Sequence, residues 1–169
     1  MNAKKTGEGI RLRGHFDVTC RGPNGKIKWE ESADNLITNE GLDHILDVVL
    51  HGTSAVSPWY VGLKNTGSVA AADTLASHAG WAENSNYTGN RQEYVEAAAS
   101  SQSTTNSANK ASFAIDTDSQ TIAGAFLASA ATGTSGTLLC VVNFSSSKSA
   151  DDGDTLEVTY TISAADDGS

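Results

Sequence analysis

In a chain that otherwise reads as strand and loop, one segment, Asn35 to Gly52, carries a helical pattern. Leu42, Ile45, Leu46, Val49 and Leu50 recur at i, i+3, i+4, i+7 and i+8, with Asp43, His44 and Asp47 on the other side. The spacing predicts a helix over about 39–51. Thr38 or Asn39 is placed to cap its start, Glu40 suits the positive end of the dipole, and Gly52 suits a left-handed position past the last turn. An isolated amphipathic helix of this length does not hold itself together in water, so the stripe is expected against an apolar surface. That surface must be a sheet, because every other ordered-looking segment reads as strand.

Residues 10–20 alternate without a fault, with Ile10, Leu12, Gly14, Phe16, Val18 and Cys20 facing one way and Arg11, Arg13, His15, Asp17 and Thr19 the other. Gly22-Pro23-Asn24-Gly25 reads as a hairpin turn into the returning strand Lys26 to Glu30. Trp59 to Leu63 is a short apolar strand ending at a turn, Lys64-Asn65-Thr66-Gly67. Ala111 to Ile115, Thr121 to Ser129, Thr137 to Phe144 and Thr155 to Ser163 follow at the spacing of an antiparallel meander or half of a sandwich. Leu138 to Phe144 is apolar on both faces, as in a central strand covered on both sides, and the helix stripe is one candidate cover. The expected fold is mainly β, an antiparallel sandwich or barrel with one amphipathic helix. Residues 1–9 form an N-terminal arm and 10–169 one β-rich domain with a long irregular region at 68–109. In that region Leu75, Trp81, Tyr87, Tyr94 and Val95 are isolated anchors, and Ser100 to Asn109 is expected to be a mobile surface loop.

The total charge of −9 hides an asymmetry. Residues 1–28 hold seven basic residues against Glu8 and Asp17, a net +5, while the remainder holds four basic and eighteen acidic residues, a net −14. A basic end on an acidic body suits an acidic protein surface, including that of a second copy, better than nucleic acid. Lys4, Lys5, Arg11 and Arg13 are the docking candidates. No apolar run follows the N-terminal charges and no stretch approaches a membrane span, so neither a secretory signal nor a membrane partner is expected. Cys20 and Cys140 fall at inward strand positions, as buried thiols or as a bridge.

Residues for chemistry are scarce. His44 and His51 lie two turns apart, roughly 10 Å, too far to share a metal. The acidic runs Asp151-Asp152-Gly153-Asp154 and Asp116 with Asp118 lack the distant Glu of a calcium loop and read as solvated turns. Gly133-Thr-Ser-Gly136 lacks the spacing of a nucleophile elbow, and no phosphate loop or dinucleotide fingerprint occurs. The expectation is a protein without catalytic residues, cofactor, metal or small-molecule substrate, whose task is adhesion.

The run Asn35-Leu-Ile-Thr-Asn-Glu-Gly-Leu42, then Trp59-Tyr-Val-Gly-Leu-Lys-Asn-Thr-Gly67, then Ala72 to Glu83 with Tyr87 and Arg91 beyond, resembles small virion proteins of tailed bacteriophages of the capsid cement, decoration or tail-fibre-like type. The resemblance implies a β-rich module used in many copies on a particle, a homotrimer, with no active site to transfer. Capsid decoration, with the major capsid protein and other copies as partners on the virion surface, is the first reading, because the chain is short and lacks heptads or shaft repeats. A tail or fibre-base adaptor is the second. A carbohydrate-binding β-sandwich contacting host glycans is the third, with Trp59, Trp81 and Tyr87 as exposed stacking candidates set against plain core packing.

Overall fold

In the computed structural model, which describes residues 9–166, the opening alternation becomes β1 (Ile10–Arg21), turning at Gly22–Gly25 into β2 (Ile27–Asp34). The Gly25 amide bonds the Gly22 carbonyl at 2.8 Å, and Gly25 takes the positive φ of 75° that the Asn-Gly pair signals. Gly14, Phe16, Val18 and Cys20 are buried as the pattern requires, but Ile10 is 82% exposed because the strand runs past the end of the core. There follow β3 (Leu36–Ile37), α1 (Asn39–Leu46), β4 (Trp59–Gly67), β5 (Trp81–Asn84), β6 (Gln92–Tyr94), β7 (Ser103–Thr105), β8 (Ala111–Ala114), β9 (Gln120–Ala128), β10 (Leu138–Ala150) and β11 (Thr155–Asp166).

Two open antiparallel sheets face each other, so the fold is a sandwich rather than a barrel. One runs β2-β1-β11-β7, with β8 also on β11; the other runs β3-β10-β9-β4-β5, with β6 also on β4. The four C-terminal strands do not form one meander: β9 and β10 pair in the second sheet, while β8 and β11 pair in the first. β1 and β11 pair without interruption from Ile10 opposite Asp166 to Arg21 opposite Thr155. Between the sheets lie Phe16, Val18, Leu63, Phe113, Leu127, Val142, Leu156 and Tyr160. Cys20 and Cys140 are free thiols buried in this layer and not a bridge, and burial pushes each up to about 12.

The second sheet is buried on both faces, as the sequence of β10 demands, but its outer cover differs from the one expected. Leu75 and Trp81, from the long segment after β4, pack there on Phe126, Ala128, Leu138 and Val141. The region 68–109 is therefore structured. Its anchors Leu75, Trp81, Tyr87 and Tyr94 are buried, whereas Val95 is exposed, and Ser100 to Asn109 is pinned rather than loose. The Asn106 amide donates to Val158 O at 3.1 Å, and its oxygen accepts from Tyr160 N at 2.7 Å, replacing strand bonds along β11 beside β7. β4 also continues as strand through Lys64 to Gly67, with a register shift against β5 between those two residues, where the sequence predicts a turn.

The helix is confirmed in place but not in orientation. Thr38 is the cap, accepting from Gly41 N at 3.0 Å; the α-helix is followed by wider π-type winding over Asp47–His51, which stops at left-handed Gly52, φ 74°. The face turned to the sandwich is Gly41, His44, Ile45 and Val48, with Ile45 packing on the core. Leu42, Leu46 and Val49 sit about 100° further round and are exposed at 40%, 56% and 72%, with Leu50 at 79%. A hydrophobic count alone picks the outer stripe because it gives Gly41 no weight. A Cβ at Gly41 would collide with the Leu139 carbonyl, so glycine is what allows the first turn to lie on β10.

Leu46→Ala should therefore change stability by less than about 0.5 kcal/mol, whereas Leu138→Ala under the outer cover should cost about 2–5 kcal/mol. Urea melts of the two variants at a dilution where the protein is a single chain check this, and a costly Leu46→Ala there would show that the stripe is covered within that chain.

Candidate partner-docking surface

The helix stands on the sandwich through a joint built from the Thr38-Asn-Glu-Gly41 run. The buried Thr38 hydroxyl donates to Leu138 O at 2.5 Å, and its amide bonds Leu139 O at 3.1 Å. Asn39 N reaches Ala71 O at 2.8 Å. One oxygen of Glu40 accepts from Leu138 N at 2.6 Å and from Leu75 N at 3.0 Å, tying the strand and its outer cover to the same carboxylate. Leu139 is the extra residue of a bulge, since β10 pairs with β9 at Leu138 and again at Cys140 with a register shift between.

Held in this way, the helix presents an apolar ridge of Leu42, Leu46, Val49 and Leu50 to solvent, with a depression on either side. On one side, Ile10, Leu12, Leu36, Ile37 and Leu42 line a groove that includes Arg13. On the other, Asp43, His44 and Asp47 border a polar cleft. Arg11, Arg13, Asp43 and Asp47 are all exposed, and none has an ion-pair partner among the described residues. Lys4 and Lys5, the other docking candidates, lie outside the described residues. The sequence missed this ridge as a surface because its apolar residues were assigned to the interior.

The aromatic candidates divide. Trp81 is 6% exposed; its Nε1 donates to Asp73 at 2.9 Å, and its ring stacks 4.0 Å from His78 and lies 5.3 Å from Phe126. Tyr87 is 4% exposed and packs edge-on to Phe113 at 4.8 Å. Neither offers a free face to a sugar, so both are corrected to core residues. Trp59 is half-buried, edge-on to His44 at 5.4 Å.

The remaining buried charges act as internal ties. Arg91, 5% exposed, forms a two-pronged bond with Glu83 at 2.8 and 2.7 Å and donates to Ala130 O and Gly133 O, each at 2.8 Å, clamping the loop before β10. Asp154, expected as part of a solvated turn, is buried; it accepts from Lys28 at 2.5 Å and Asp151 N at 2.8 Å. Burial alone would raise the Glu31 carboxyl, but the Lys148 ion pair at 2.8 Å and the bonds from Ser145 outweigh it and hold it below its ordinary value. Lys64 crosses the outer face of β9 at Gly124, where any side chain would strike its stem, to reach Asn143 Oδ1 at 2.6 Å. Burial lowers its amine to about 8, against which Asp73 acts. Among the described residues no three His, Cys, Asp or Glu side chains converge as a metal site would need, and no helix is long and apolar enough to cross a membrane.

Lys64 makes a signed prediction. Its value in the folded protein lies below the ordinary 10.5, so above about pH 8 the unfolded chain binds more protons and stability rises with pH. The two cysteines titrate in the opposite sense but are common to parent and variant. The stability of the parent relative to Lys64→Met should therefore climb from about pH 8 toward 10.5. Chemical denaturation across that range reads the difference, and a flat difference contradicts the buried amine.

A protein-family model described as podophage GP4 fiber I protein gp80 matches residues 37–163. No curated protein matches the chain. The matched span starts at Ile37, immediately before the Thr38 joint, and takes in the helix, the outer cover, the Arg91 clamp and all of the second sheet except Leu36. More than half of the chain is covered, and the chain belongs to this family of fibre proteins, virion structural proteins of tailed bacteriophages.

Proposed function

We propose that the protein is a non-enzymatic structural module of the fibre apparatus, an adaptor at the base of a fibre that is held to an acidic protein surface of the virion through its basic end. The observation that carries this is the family match over residues 37–163. That span leaves outside it the basic residues Lys4, Lys5, Arg11 and Arg13 and the β1–β2 hairpin, although β1 is tied into the matched body along the whole of β11. Buried Arg91 and Asn106 are occupied in holding loops, which supports a structural role.

The capsid-decoration reading differs only in the docked surface, the major capsid protein in place of the fibre complex. The match to a fibre family favours the fibre position. The glycan-binding reading is left with half-buried Trp59, because Trp81 and Tyr87 are in the core.

Exposed charges are screened over about 8–10 Å at ordinary salt, and each pair contributes little, so several must act together. Reversing Lys4, Lys5, Arg11 and Arg13 to Glu should reduce the occupancy of the protein on assembled particles at low salt, read by gel densitometry. Gold labelling of the parent should mark the fibre attachment region. Unchanged occupancy removes the basic end from attachment, and label spread over the whole shell replaces the fibre position with capsid decoration.

A further inference from the structure

We propose that the ridge of Leu42, Leu46, Val49 and Leu50 is the contact between copies of this chain, with Arg11 and Arg13 of one copy set against Asp43 and Asp47 of the next. This deepens the reading above, in which the basic end docks on an acidic protein surface, by naming that surface.

Four large side chains exposed at 40–79% on one short helix form an apolar surface that the single chain does not cover. Clustered exposure of this kind marks a contact site, whereas scattered exposed leucines do not. The inner face of the same helix, Gly41, Ile45 and Val48, already supplies an attachment to the sandwich, and the outer stripe is left largely to solvent. The joint at Thr38 and Glu40 fixes the direction in which the ridge points, so little ordering is needed on association.

Charge selects the occupant. On the basic strand end, exposed Arg13 lines the groove beside the ridge with exposed Arg11 two residues before it, while exposed Asp43 and Asp47 border the ridge on the other side, and none of the four has an ion pair among the described residues. A surface with an apolar centre and opposite charges on its two flanks complements itself. A copy turned about an axis running along the helix brings each basic flank onto an acidic one, and a ring of copies does the same around a closed circle. The acidic flank disfavours nucleic acid and anionic lipid. The segment that precedes the described residues, Met1 to Glu8, has only Met1 and Ala3 as apolar side chains and does not match a ridge of leucines and valines.

The full chain is examined by light scattering after gel filtration and by sedimentation equilibrium. The parent should show a mass of two or more 17.5 kDa chains at about 100 µM. Leu46→Glu with Val49→Glu should return it to a single chain with an unchanged thermal melt of the monomer fold, since both side chains are exposed. Arg11→Glu with Arg13→Glu, and separately Asp43→Arg with Asp47→Arg, should each weaken association about three- to tenfold, and the four changes together should restore it. A parent of one chain at all concentrations overturns the proposal, as does a ridge variant that keeps the parent mass or a fourfold charge swap that fails to recover. If the isolated parent is a single chain while the ridge variant loses occupancy on particles, the ridge serves a different virion protein, and the second copy is rejected while the fibre role stands. A protein that self-associates but is absent from fibres fails the role and keeps the contact.

Discussion

The Glu40 carboxylate is the point on which the separate parts of this fold converge. It takes the amides of Leu75 and Leu138 on one oxygen, while Thr38, two residues earlier, holds the carbonyl of Leu138. A strand bulge, a helix start and the loop that covers the outer face of the second sheet thus share one set of hydrogen bonds. Each amide so held would otherwise be a partly buried donor without a partner, which costs more than the bond itself gains. Removing the carboxylate would release both the cover and the strand end beneath it.

From that joint the layering follows. With Leu75 fixed, Leu75 and Trp81 lie over Phe126, Leu138 and Val141, giving the second sheet an outer core that the first sheet lacks. Arg91 performs the corresponding task for the loop before β10, and Lys64 spans β9 beneath Trp81, 5.9 Å from its ring centroid. The first sheet keeps a polar outer face, where Asp34 and Ser32 bond His15 at 2.6 and 2.7 Å. A basic strand end and a solvent-facing helix therefore share one end of the molecule.

Where one period explained burial, the sequence was a good guide. β1 and β11 alternate because one face meets the core and the other meets water, and both strands are found as read except at the start of β1, where Ile10 lies beyond the core. The Asn-Gly hairpin and the Gly52 stop follow from backbone conformations that only a few residues adopt. Reading failed where a small or polar residue carried the packing. Gly41 turned the helix by its lack of a side chain, so the apolar stripe pointed outward. Asn106, in a segment with no large apolar residue, pinned a region that composition marked as loose. Lys64 falls in a run with turn composition, although the Gly124 beside it leaves a channel for its stem. The basic end was legible from charge alone; the acidic flank and the ridge needed the helix orientation.

Amide hydrogen exchange at Leu75 and Leu138 tests the joint most directly. If Glu40 unites cover and strand, both amides should exchange only with global unfolding in the parent, and in Glu40→Ala both should exchange much faster while the amides of the β1–β11 ladder stay protected. A Leu75 amide that exchanges at loop rates in the parent while Leu138 stays slow would contradict the account, because the cover would then move independently of the helix and strand it is said to join.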